Sequence, residues 1–144
     1  MSNAEERGAD AETREEAVKT ICIESPYAGD VEKNVAYLKR CIMDALGRGE
    51  SPYASHLFFT QPGLLDDLVP EERTLGIEAG FCWSRMADLR VFYIDRGISR
   101  GMQLGWSDAM KHGQACLIRN IEPISGDPVK SDTAAIVKLE EKKP

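Results

Sequence analysis

The stretch Val91-Phe92-Tyr93-Ile94-Asp95-Arg96-Gly97-Ile98-Ser99-Arg100-Gly101-Met102 decides the fold. A short apolar run ends in an acid, passes through a glycine and enters a segment that Ser99 is suited to cap as a helix. Open α/β sheets place their ligands at strand tips of this kind. The stretch completes no catalytic motif, so it locates a site without naming a reaction.

Toward the C-terminus the helix is expected over 100–112, closed by Gly113, with a last strand over 115–118. Toward the N-terminus, Asp88 precedes a strand expected over 89–94. Before it a helix opens at Pro70, with Glu71 and Glu72 in the first turn, where acids complement the helix dipole. Leu75, Ala79, Cys82 and Met86 continue that helix along one face. A variable loop beginning Thr60-Gln61-Pro62-Gly63 precedes it, and a second strand is expected over 53–59, with Pro52 at its entry and His56 inside it.

Nearer the start, Val31, Val35, Leu38, Ile42, Ala45 and Leu46 recur at intervals of three and four. That spacing predicts a helix over 31–46 with one apolar stripe, capped by Asp30 and ended by Gly47 and Gly49. The loop Ser25-Pro26-Tyr27-Ala28-Gly29 joins it to a first strand over 20–24. Strand and helix alternate throughout, which implies right-handed crossovers. The expected architecture is a compact three-layer α/β domain, Rossmann-like or flavodoxin-like, with a mainly parallel sheet of about four to five strands, over 20–124. The polar, charge-rich 1–19 and the Gly-, Pro- and Lys/Glu-containing 125–144 are expected tails, although 134–139 has the composition to pair transiently as a strand or short helix.

A chain of 144 residues supports one such domain. Its 42% apolar and 29% charged residues are ordinary for a soluble globule, and its apolar runs fall far short of the roughly 20 residues that cross a membrane. No apolar leader follows Met1, so the expected location is the cytoplasm. Cys22, Cys41, Cys82 and Cys116 are widely spaced, form no C-x-x-C pair and have only His56 and His112 to join them, so neither a metal nor a cofactor is expected. Cys22 and Cys116 lie in apolar runs and read as buried, reduced thiols. A net charge of −6 disfavours nucleic acid as a partner, while leaving a small anion at a helix start possible.

In a parallel sheet the segments that follow the strands share one edge. Three segments are thereby gathered. The first offers Ser25, Pro26, Tyr27, Gly29 and Asp30, the second His56, Thr60 and Gln61, and the third Asp95, Gly97, Ser99, Gly101 and Met102. Such a set suits a sugar or a phosphate. Plainer roles stand beside it. Asp30 and Ser99 are competent caps, Asp95 can organise its own turn or accept from ribose hydroxyls, and His56 can be a hydrogen-bonded structural residue. Glu24, flanked by Ile21 and Ile23 in a central strand, is costly to bury unpaired and should meet a partner or the site. Gly97, Gly101 and Gly105 recur every four residues, a spacing that more often means close packing than a phosphate loop, and no Gly-Lys-Ser/Thr follows. Trp83, Trp106 and Tyr37 read as core or interface residues.

Ile23-Glu24-Ser25-Pro26-Tyr27, His56 and Asp95-x-Gly97-Ile98-Ser99-x-Gly101-Met102 resemble small phage and bacterial domains similar to the nucleoside 2-deoxyribosyltransferases, over roughly residues 20–120. The resemblance implies a ligand site at the Ser-Pro loop and the Asp-x-Gly turn. It also implies cleavage of the N-glycosidic bond of nucleosides or nucleotides, by a glutamate near the start of the helix with an aspartate assisting. Members often complete their sites across subunits, which implies a homo-oligomer. This chain departs from the pattern where the glutamate is expected: Gln103, Leu104, Gly105 and Trp106 follow Met102, and no carboxylate stands between Asp95 and Asp108. A neutral side chain cannot form a glycosyl ester. The missing acid favours binding of a nucleoside, nucleotide or nucleotide-derived molecule without turnover; the alternatives are an N-glycosidase or deoxyribosyltransferase whose acid is Glu24, Asp95 or Glu78, and then a structural or oligomerising phage protein.

Overall fold

The computed structural model describes residues 18–122, so the expected tails lie almost wholly outside the described residues. Four strands, β1 (Thr20–Glu24), β2 (Ser51–Tyr53), β3 (Leu89–Tyr93) and β4 (Cys116–Arg119), form one sheet in the order β2-β1-β3-β4. Every pairing is parallel. Order and direction match the first four strands of a flavodoxin-like sheet, with the switch in winding between β1 and β3.

Strands with helices on both faces need apolar residues on both, and β1 and β3 are buried along nearly their whole length. Ile21, Ile23, Val91 and Tyr93 face one way and pack with Tyr37, Leu38, Cys41 and Ala45 of α1 (Val31–Gly47). Asp30 caps α1 by accepting from the backbone N–H of Lys33 at 3.2 Å. The opposite face carries Cys22, Glu24, Arg90 and Phe92. Against it lie α3 (Pro70–Ser84) and α4 (Arg100–Lys111), with Met102, Trp106, Phe92 and Ile118 forming a second apolar cluster. Ser99 caps α4 by accepting from the N–H of Met102.

Two expectations need correction. The second strand ends at Tyr53, and His56 lies in a one-turn helix, α2 (Ser55–Phe58), rather than in a strand. The chain turns over the end of β1 here, and α2 packs against α3 so closely that a Cβ on Gly80 would come within 2.9 Å of Ser55 Cβ. Likewise, the apolar series on α3 does not mark its buried face: Leu75, Cys82 and Met86 are exposed, whereas Gly80 and Ser84 are buried. Small residues lie inward because they let the helix approach β1, where Ser84 Oγ meets Cys22 Sγ at 2.9 Å. Tyr37 and Trp106 are core residues and Trp83 is exposed; Cys22 and Cys41 are buried, Cys116 is half-buried and Cys82 is exposed.

Candidate functional site

The segments leaving the carboxyl ends of β1, β2 and β3 meet on the α3–α4 side of the sheet and enclose a cavity of about 300 Å³. Its apolar walls are Tyr27, Phe59, Leu65, Ile77 and Phe81, and its polar groups include Glu24, Ser25, His56 and a half-exposed Asp67–Arg73 ion pair at 2.8 Å. An apolar chamber with a few convergent polar groups is the usual form of a small-molecule site.

Glu24 is the last residue of β1 and is only 8% exposed. Its Oε2 is buried without a hydrogen-bond partner among the described residues. Burial pushes its carboxyl up to about 7, against the pull of Arg90 and with a further push from Asp108. The space it fills belongs to α4: a Cβ built on Gly105 would overlap Oε2 and come within 2.7 Å of Cδ. Gly105 therefore leaves a hollow in the helix, and a carboxylate from the neighbouring strand occupies it.

Ser25 Oγ lies 3.0 Å from His56 Nε2, and the ring of Tyr27 stands edge-on to the imidazole. Burial lowers His56 to about 4, so it is neutral near pH 7. A neutral imidazole bonded to a hydroxyl can pass a proton or orient that hydroxyl, and carries no charge for an anion.

Of the residues singled out in the sequence, Ser25, Tyr27, His56, Ser99, Gly101 and Met102 line this cavity together with Glu24. Gly29 and Gln61 line an adjoining cleft that shares Tyr27 and Thr60 with it. Pro26, Asp30, Asp95 and Gly97 line neither. Asp30 is occupied as a cap. Asp95 holds structure instead of facing the cavity: it accepts from Tyr37 Oη at 2.7 Å and from the backbone N–H groups of Ile121 and Glu122 at 2.9 and 3.0 Å. Gly97 turns the chain behind it at φ 88°. Glu78 is exposed on α3, outside the cavity. Among the described residues no group of three or more His, Cys, Asp or Glu is placed to hold a metal ion.

Residues 19–119 match the model of a family described as a domain of unknown function, DUF7768. The chain belongs to that family. No curated protein matches it. A solved structure of the 2-deoxyribosyltransferase from the psychrotolerant bacterium Bacillus psychrosaccharolyticus is similar in fold, with a TM-score of 0.51 and 16% identity, over 83% of this chain and 95% of that one. The DUF7768 domain thus has a nucleoside 2-deoxyribosyltransferase-like fold. No helix among its described residues is long and apolar enough to cross a membrane.

Sequence reasoning overlooked the charges behind the cavity of this DUF7768 domain. Arg90, the second residue of β3, is wholly buried and donates to Asp108 Oδ2 at 2.8 Å. Asp108 in turn is gripped by Arg85, whose Nη2 lies 2.6 Å from Oδ1. Burial would raise the Asp108 carboxyl, but the two guanidinium groups hold it below its ordinary value. One signal was present: Arg90 is a lone charge inside an apolar strand, and a buried charge needs a partner.

Proposed function

We propose that this domain binds a nucleoside or nucleotide-type small molecule in the cavity and cleaves its N-glycosidic bond at Glu24. The observation that carries this reading is the Glu24 carboxylate, buried, without a partner for Oε2, and seated in the hollow of Gly105 beside the cavity. A carboxylate left unpaired in an apolar wall costs several kcal/mol, of order 2–7 for a polar group and more for a charge, and such costs concentrate at functional sites. Tyr27, Phe59 and Phe81 offer flat apolar surface to a base.

In this reaction an oxygen of ionised Glu24 bonds to the anomeric carbon as the bond to the base nitrogen breaks. The electron pair leaves with the base, which takes a proton from water. The hydroxide so formed attacks the anomeric carbon, releasing the sugar and restoring the carboxylate; a second base in place of water gives transfer. With the Glu24 carboxyl near 7, a substantial fraction is ionised at neutral pH. Ser25, whose Oγ lies 3.0 Å from His56 Nε2, bonds a sugar hydroxyl in this reading.

A second reading, binding without turnover, is favoured by the absence of any carboxylate on α4 before Asp108. A homo-oligomer and a cytoplasmic location belong to the proposal in either form. The test incubates the protein with nucleosides, nucleoside monophosphates, NAD and cyclic nucleotides, and measures both thermal shift and released base. Base release that Glu24→Gln abolishes supports cleavage. Thermal stabilisation without release establishes the second reading, and neither effect with any compound overturns both.

A further inference from the structure

Arg90 is wholly buried and only half used. Its Nη1 donates to the carbonyl of Gly105 and to Asp108 Oδ2, each at 2.8 Å, while Nε and Nη2 are buried with no partner among the described residues. The ring of Phe81 lies 4.9 Å from the guanidinium carbon and closes off one side. Glu24 Oε2, also without a partner, lies against the same Gly105. In the β1–β3 register Cys22 pairs with Arg90 and Glu24 with Phe92, so Glu24 and Arg90 project from one face of adjacent strands. Unfilled groups of opposite charge therefore converge on a single residue of α4.

The charges around them do not balance without Glu24. Asp108 is the acid shared by two guanidinium groups: Arg85 binds it through Nη2 at 2.6 Å and Nε at 3.1 Å, and Arg90 through Nη1. His112 Nδ1 is 3.5 Å from the same carboxylate and lies on the exposed side. Two fixed cations against one anion leave an excess positive charge, and its buried end is Arg90. Among the described residues the other titratable groups near Glu24 supply no compensating anion. Cys22 on β1 and Cys116 on β4 are thiols that burial pushes up to about 12 and about 11, and His56 on α2 is neutral.

We propose that Arg90 is a positioning residue for Glu24: its free Nε and Nη2 groups hold the carboxylate in the Gly105 hollow when it is charged, and the Arg85–Asp108 pair fixes Arg90 for that task. This rests on the reading of Glu24 as the acting group, yet its central claim concerns only the two side chains. Arg90 touches no substrate in this arrangement; it acts through Glu24.

The experiment follows both groups by NMR in the full chain, using ¹³C-carboxyl-labelled glutamate and ¹⁵N-labelled arginine. Glu24→Gln and Arg90→Lys identify the two resonances. In the wild type the Glu24 carboxyl is expected to titrate near 7, and the Arg90 Nε signal to move with the same midpoint. In Glu24→Gln the Arg90 signal is expected to stay flat over that range. Arg90→Met should raise the Glu24 midpoint by about one unit or more, since removing an adjacent cation removes a pull of that size. An Arg90 signal that ignores the Glu24 titration overturns the proposal, as does an unchanged Glu24 midpoint in folded Arg90→Met. If Arg90→Met does not fold, the wild type and Glu24→Gln decide alone. Coupled titration without base release from any nucleoside sustains the positioning role and counts against cleavage; Glu24-dependent release with an unresponsive Arg90 does the reverse.

Discussion

Replacing Glu24 by glutamine is expected to stabilise the protein increasingly between pH 4.5 and about 7 while abolishing base release. The folded carboxyl titrates near 7 where an unperturbed glutamate titrates at 4.5, with burial the main cause, Arg90 opposing it and Asp108 adding to it. A group whose folded value is raised contributes fully below the unfolded value and loses that contribution as pH rises through the folded one. Wild-type stability should therefore fall between pH 4.5 and about 7 relative to a variant that cannot ionise there, and the gap corresponds to about 3 kcal/mol. Glutamine is nearly the shape of protonated glutamate, so the two proteins should be about equally stable at pH 4. At pH 8 the variant should be ahead by about 3 kcal/mol, or roughly 10–20 °C in melting temperature for a domain of this size. Urea denaturation of both proteins at pH 4, 6 and 8 measures the difference directly, and groups common to both cancel. A difference that does not change with pH would refute the reasoning, because it would mean that Glu24 ionises as easily in the cavity as in water.

Gly105→Ala places a Cβ on the Glu24 carboxylate, and the resulting strain of about 1–3 kcal/mol should outweigh the roughly 1 kcal/mol helix preference of alanine. Adding Glu24→Ala should recover much of that loss, a non-additivity visible in denaturant midpoints. His56 has a folded value near 4 against 6.5, so its contribution is present above pH 6.5 and is lost as pH falls toward 4, by up to about 3 kcal/mol. His56→Gln should accordingly flatten the acid limb of a stability profile. Asp95→Ala should cost about 2–4 kcal/mol through its bonds to Tyr37, Ile121 and Glu122, while calorimetry finds the affinity for any ligand of the cavity unchanged.

Much of the architecture was legible in the chain itself. Alternating apolar strands and a stripe of period three to four on α1 are local patterns, and Asp30, Pro70 and Ser99 mark helix starts by chemistry that needs no distant partner. The parallel direction then follows from the helical crossover between each pair of strands, and with it the edge where the strand ends gather. What misled was equally local. Leu75, Cys82 and Met86 read as a buried stripe, but the space available beneath α3 admits only Gly80 and Ser84, and that space is set by β1 and α2. His56 left its expected strand because α2 packs on α3, a contact between segments that sequence spacing does not connect.

The site divides in the same way. By itself the sequence determined which segments would meet, because strand ends of one sense share an edge, and it showed that α4 carries no acid before Asp108. Only the tertiary structure decided which side chains face the cavity. It turned Asp95 into an anchor for the chain after β4, left Glu78 outside, and brought Glu24 from β1 into the hollow of Gly105. The physical reason is that a carboxylate's role depends on what surrounds it in space. The absent side chain at Gly105, Arg90 on the adjacent strand opposite Cys22 and Asp108 on α4 give Glu24 its character, and no pattern along the chain records that they converge.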